Sequence, residues 1–161
     1  MGAHAEQDAY VLLQRAAAAL HEEMVELLKP HGLSPTQYNV LRILRGGGEE
    51  GLPTLDVASR MIEHSPGVTR LLDRLERRRL ARRVRCPEDR RQVLCHATEP
   101  ARRLLAGLAG PMADASRAFV ASLDAARTAE LVRSLDAVRA TASTHVAPVP
   151  SPTRNNDRKR K

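Results

Sequence analysis

Residues 65–94 read SPGVTRLLDRLERRRLARRVRCPEDRRQVL, and two different periods are legible in them. Up to Leu80 the apolar residues Val68, Leu71, Leu72 and Leu75 recur at i, i+3, i+4 and i+7, the spacing of one buried stripe on a helix. That stripe leaves Thr69, Arg70, Asp73, Arg74 and Arg77 on the other face. After Leu80 the period falls to about two. Arg83 and Arg85 alternate with Val84 and Cys86 on one arm, and Arg91, Val93, Cys95 and Ala97 mark the other, with the turn-forming Pro87-Glu88-Asp89-Arg90 between them. The stretch predicts a helix followed directly by a β-hairpin with a basic tip.

Working toward the N-terminus, Ser65-Pro66 is a cap followed by proline at the first helical position, and Glu63-His64 is a tight turn before it. Thr54 is placed to cap a short helix whose Leu55, Ala58, Met61 and Ile62 face inward. Two short helices joined this way have helix-turn-helix geometry. Ser34-Pro35-Thr36-Gln37 is a capping box that starts another helix, with Tyr38, Leu41 and Leu44 on its inner face and an end near Arg45. The run Gly46-Gly47-Gly48-Glu49-Glu50-Gly51 lacks the Gly-Lys-Ser/Thr of a phosphate loop and reads as a flexible connection. Before it, residues 7–29 form a long helix in which Leu13, Ala17, Leu20, Met24 and Leu27 make a seam, closed by Lys29-Pro30-His31-Gly32. So alanine-rich a seam is marginal alone and calls for a second long helix against it.

Toward the C-terminus, Thr98 caps a further helix that tolerates Pro100 in its first turn and carries Leu104, Leu105 and Leu108. Gly107, Gly110 and Pro111 predict a kink or break there. Asp124 caps a last helix with Leu131, Val132, Leu135 and Val138. From Pro148 the tail is proline-rich, then polar and basic, a composition that stays disordered.

Charge is unevenly spread along these elements. Of the net +7, residues 70–91 hold ten arginines against four acids, and 154–161 hold five cations against one acid, whereas 1–69 are net acidic. Arginine outnumbers lysine 23 to 3, which a GC-rich genome would explain; it would not explain the clustering. With a Debye length of ~10 Å, such charges act jointly on a polyanion, so nucleic acid is the leading partner and an anionic membrane the lesser one. Tyr10, Tyr38 and Phe119 are the only aromatics, too few to stack on single-stranded bases, which favours double-stranded DNA. No signal sequence or ~20-residue apolar run is present, so a cytoplasmic protein with no membrane association is expected. Cys86 and Cys95 are too few for a disulfide framework and imply reduced thiols.

A helix-turn-helix followed by a basic hairpin is a winged helix, and with long helices on either side it resembles the MarR family of bacterial transcription regulators. The most specific part is SPGVTRLLDRLERRRLARRVRCPEDRRQVLCHATEPARRLL, from recognition helix through wing to the next helix, within a resemblance covering about residues 7–140. The sequence departs from the family pattern at Arg79, where glycine is usual at a left-handed helix end. It departs also at Cys86 for an acidic residue, Ala97 for leucine, and Pro100-Ala101 for a Lys-Gly type pair.

The resemblance implies a mainly α fold with a small β-hairpin wing. Its parts are a dimerisation helix over 1–32, a winged helix-turn-helix DNA-binding domain over 33–98, a linking helix and C-terminal dimerisation helix over 99–146, and a disordered basic tail over 147–161. It implies a homodimer held through Leu13, Leu20, Met24, Leu131 and Leu135 that reads a palindromic site as a repressor. Ser65, Gly67, Thr69, Arg70 and Arg74 of the recognition helix then meet the major groove. In the wing Asp89 orients Arg91 into the minor groove, and Arg83 and Arg90 neutralise phosphates. Gly107, Gly110 and Pro111 lie near the family's effector pocket and form a candidate hinge responding to a small aromatic or phenolic ligand.

Two other readings of these residues stand beside it: a DNA-coating protein without sequence preference, and a thiol switch through Cys86 and Cys95, whose neighbouring arginines would favour thiolate. No cofactor is expected. The histidines His4, His21, His31, His64, His96 and His145 show no metal-ligand spacing, and there is no nucleophile–base set to suggest an enzyme.

Overall fold

The computed structural model describes residues 4–62, 67–86, 89 and 92–145. The chain forms two compact units, Met1–Phe119 and Val120–Lys161. In the first, α1 (Ala5–Leu28) runs into a short 3-10 turn, Lys29–His31, and α2 follows at Pro35–Gly46. Gly32 ends the turn in the left-handed conformation (φ 61°), with its N–H donating to the Lys29 carbonyl. The capping box is present as read: Ser34 Oγ accepts from the Gln37 N–H at 3.2 Å, and Gln37 Oε1 accepts from the Ser34 N–H at 3.0 Å.

The glycine-rich connection is a built turn, which corrects its reading as a loose one. Gly48 and Gly51 hold positive φ (59° and 74°), and the Gly51 N–H donates to the Gly47 carbonyl at 3.2 Å. A Cβ on Gly51 would come within 2.5 Å of the His96 ring, so the chain passes where only glycine fits. It leads into a strand that periodicity did not reveal, β1 (Leu52–Pro53), paired antiparallel with β3 (Val93–Ala97), which pairs in turn with β2 (Ala81–Arg85). The sheet order is β1-β3-β2, so β3 of the hairpin is the central strand, with β2 and the short β1 at the edges.

Helix α3 (Thr54–Arg60) corrects two expectations. Pro53 occupies the N-cap, and Thr54 turns its hydroxyl to Cys95 Sγ at 3.5 Å. Val57 is fully buried and Met61 nearly so, with Ala58 packed beside them, whereas Leu55 and Ile62 are 81% and 79% exposed. The helical spacing fails at Ile62 because Met61 is already extended (ψ 142°), and at Leu55 because the face that packs is centred on Val57.

Helix α4 (Val68–Arg77) buries the stripe read from the sequence, Val68, Leu71, Leu72 and Leu75. Its end is a Schellman motif: the Leu80 N–H donates to the Leu75 carbonyl at 2.9 Å and the Arg79 N–H to the Glu76 carbonyl at 2.8 Å. The residue in the left-handed position is Arg79 (φ 58°), the sole non-glycine with positive φ among the described residues.

Helix α5 (Glu99–Phe119) starts on Thr98, whose Oγ1 accepts from the Ala101 N–H at 3.4 Å and donates to the Arg79 carbonyl at 2.7 Å. It continues through Pro111 to Phe119, so the predicted break is absent. The carbonyl that loses its helical N–H partner to the proline belongs to Gly107, four residues back. Leu105 and Leu108 join a core with Leu28, Leu41, Leu44, Val57, Leu72, Leu75 and Cys95.

The second unit contains α6 (Ala125–His145), capped by Asp124, whose Oδ1 accepts from the Arg127 N–H at 2.8 Å. Within it Leu131 is half-buried, and Val132, Leu135 and Val138 are exposed. Among the described residues no helix is long and apolar enough to cross a membrane.

Candidate nucleic-acid interface

With its apolar stripe in the core, α4 presents Thr69, Arg70, Arg74 and Arg77 to solvent. Gly67 is the N-cap, and its carbonyl accepts from the Leu71 N–H at 2.9 Å. The first-turn amides of such a helix carry a partial positive charge that attracts phosphate. Ser65 lies outside the described residues.

The wing follows three residues after α4, with Arg83 opposite Cys95 and Arg85 opposite Val93. The Cys86 N–H donates to the Gln92 carbonyl at 3.0 Å, and the Gln92 N–H donates to the Asp89 carbonyl at 2.9 Å. Asp89 is partly exposed at this end of the hairpin. Arg90 and Arg91 lie outside the described residues.

Arg83 does not stand free for phosphate, which corrects its assignment. Its guanidinium meets Asp73 Oδ1 at 2.5 Å and Glu76 Oε2 at 2.6 Å, and its backbone N–H donates to Glu76 Oε1 at 3.1 Å. The hydrogen bond to Glu76 and then that to Asp73 raise its pKa further, against the opposing effect of burial. A guanidinium already matched by two carboxylates offers little net positive charge to DNA. The clue in the sequence was two acids spaced i, i+3 inside an arginine run, on the helix that precedes the hairpin. Arg78 is also engaged internally, on carbonyls of the 29–32 turn.

The cysteines are not arranged as a switch. Cys95 is fully buried, and burial pushes its thiol pKa up, so the protonated form dominates. Cys86 sits three residues along the strand from Arg83, the partner of Cys95, which separates the cysteines by about 10 Å and is beyond disulfide reach. His96, next along β3, is buried with Nδ1 lacking a hydrogen-bond partner. Burial, then Arg82 and Arg102, push its pKa down, so it is neutral at pH 7. Among the described residues no three His, Cys, Asp or Glu side chains gather around a metal position.

A separate cleft of about 350 Å³ opens between α1 and α2. Leu20, His21 and Met24 line it from one side and Tyr38, Asn39 and Arg42 from the other, with the Arg42 guanidinium 5.9 Å from the centre of the Tyr38 ring. It is mostly apolar with a few polar groups at its wall, the make-up of a small-molecule site. Gly107, Gly110 and Pro111, named as a hinge near such a pocket, lie on exposed positions of α5 and do not line it.

Comparison with known proteins gives consistent relatives. A family model described as MarR family matches residues 31–92. A MarR transcription factor from Planctomyces limnophilus, known by crystal structure, is 36% identical, covers 81% of this chain with 94% of its own, and superposes with a TM-score of 0.64. The HTH-type transcriptional regulator MhqR of Bacillus subtilis is 30% identical over 90 residues, 56% of this chain, and the chain spans only 61% of its length. BpsR of Bordetella bronchiseptica, whose DNA binding is regulated by 6-hydroxynicotinic acid, shares the fold at a TM-score of 0.76 and 23% identity, over 86% of this chain and 98% of its own.

Proposed function

The chain belongs to the MarR family, and from that premise we propose that it is a homodimeric transcription regulator that represses from a palindromic operator and lets go when a small aromatic or phenolic ligand binds. The observation that carries the reading is α4: one stripe is sealed in the core, and Thr69, Arg70 and Arg74 stand outward beside a basic wing. A helix held so enters the major groove with its first turns. Arg70 and Arg74 reach guanine edges or phosphates, a bidentate arginine–guanine contact contributing about 1–3 kcal/mol of discrimination. Ser65 and Gly67 allow close approach, Asp89 orients Arg91 into the flanking minor groove, and Arg90 neutralises phosphate.

Dimerisation is supported by apolar side chains left in water on a single chain: Leu13 and Leu20 on α1, with Tyr10 and Leu12 nearby, and Leu135 and Val138 on α6. Met24 and Leu131 are half-buried. Half-sites centred about one helical turn apart, ~10 bp, would let two such helices lie in successive major grooves. The α1–α2 cleft is the place for the effector, because Arg42 and His21 can meet an acid or hydroxyl while Leu20, Met24 and Tyr38 cover a ring. For BpsR the regulating molecule is a hydroxylated aromatic acid of this size class.

The test is fluorescence anisotropy on duplexes from the region upstream of the protein's own gene, with excess nonspecific competitor, for the wild type and Arg91→Ala. Tight binding to one palindromic duplex, weakened by the substitution, supports the reading. Equal and weak binding to every duplex identifies a DNA-coating protein instead and removes the effector proposal.

A further inference from the structure

The ten arginines between Arg70 and Arg91 do not share one role. At about 100° per residue, Arg70, Arg74 and Arg77 share the outward face of α4, while Asp73 and Glu76 lie toward one flank and Arg78 closes the helix on the other. Each flank is tied to a different neighbour. On the first, the two carboxylates hold Arg83 of β2 by side chain and by backbone. On the second, Arg78 reaches 46 and 47 residues back along the chain: its Nη1 donates to the Gly32 carbonyl at 2.6 Å and its Nη2 to the His31 carbonyl at 2.9 Å. These carbonyls end the 3-10 turn that finishes α1, where the partial negative charge of a helix terminus favours a cation. The fork geometry matters, since a planar guanidinium spans two acceptors that an ammonium meets only as a point charge. Gly32 closes that turn in the left-handed conformation (φ 61°), and a Cβ there would meet the guanidinium only at an ordinary contact distance of 3.5 Å, so it is the backbone and not the space that favours glycine.

We propose that Arg78 and Arg83 are positioning residues that lock the recognition helix from opposite flanks, to the end of α1 and to the wing, and that neither is a DNA ligand. This rests on the reading of α4 as the helix that enters the groove. The angle at which Arg70 and Arg74 approach the bases is then set by bonds made behind them. Because α1 also forms one wall of the α1–α2 cleft, Arg78 ties the turn that ends this helix to the DNA-reading helix.

The salt dependence of binding separates positioning from direct binding, because each phosphate that is no longer neutralised makes the slope of log K against log salt shallower by about 0.9. Affinity for the tightest-binding upstream duplex would be measured across a salt series for Arg78→Ala, Arg78→Lys, Glu76→Gln and Arg70→Ala, with thermal melts confirming that each is folded at the binding temperature. The brace predicts that both Arg78 variants bind about five- to fifty-fold more weakly at an unchanged slope. It predicts that Glu76→Gln also binds more weakly, although removing an acid near DNA would by charge alone tighten binding. Arg70→Ala should flatten the slope. A flattened slope in Arg78→Ala that Arg78→Lys restores would make Arg78 a phosphate ligand and overturn the proposal. So would folded Arg78 variants that bind like wild type, or a Glu76→Gln that binds more tightly. If Arg70→Ala changes nothing and no duplex is preferred, the DNA-reading assignment of α4 fails, and the brace loses its purpose with it.

Discussion

Replacing Arg79 with glycine should stabilise the protein, and the size of the effect follows from the end of α4. Arg79 sits in the left-handed region (φ 58°) because the Schellman motif requires it: Leu80 must fold back to put its N–H on the Leu75 carbonyl and its side chain beside Leu75 in the core. An L-residue held there costs about 1–2 kcal/mol through its Cβ. Glycine removes that cost and adds back about 0.5–1 kcal/mol of unfolded-state entropy. The net expectation is a gain of about 0.5–1 kcal/mol. The bond from Thr98 Oγ1 to the residue 79 carbonyl is to backbone and survives the substitution, and the Arg79 side chain is exposed. In a chain of this size the gain corresponds to a Tm increase of roughly 1–4 °C. It would be read by circular dichroism melts at one fixed protein concentration, since a dimer's Tm depends on it. An unchanged or lower Tm would refute the claim that strain is held at this turn, and would mean that the arginine side chain contributes more to the fold than its exposure indicates.

Three other substitutions and conditions test the same structure. His96 has its pKa lowered by burial, Arg82 and Arg102, so the unfolded chain takes up a proton that the folded one resists. Stability should therefore hold above the ordinary imidazole value of about 6.5 and fall as pH drops below it toward the folded pKa; urea titrations over that range should show the decline, and His96→Leu should flatten it. Gly51→Ala combines a positive φ with a Cβ 2.5 Å from the His96 ring and should cost about 2 kcal/mol or more, seen as a lower urea midpoint. Leu75→Ala removes a fully buried side chain at the junction of α4 and the wing and should cost about 2–5 kcal/mol, read in the same titration.

What sequence alone determined was whatever depends on near neighbours along the chain. The Ser34-Pro35-Thr36-Gln37 capping box, the Asp124 cap, the buried stripe of α4 and the change of period into the hairpin are set within a few residues, and each appears in the fold where the residues place it. That position 79 is left-handed was implied only by the family resemblance, whose pattern has glycine there, and the structure holds Arg79 in that conformation. Tertiary structure decided the rest. A two-residue strand such as β1 is too short to carry a period and exists only because β3 offers it a partner. Leu55 and Ile62 have the composition of core residues, but α3 stops before Ile62 and packs around Val57. Nor does a charge pattern tell one arginine from another. Arg70 and Arg74 remain in solvent while Arg83 is drawn to Asp73 and Glu76 and Arg78 to the end of α1, because partners close in space can be distant in the chain, and only the folded packing brings the two together.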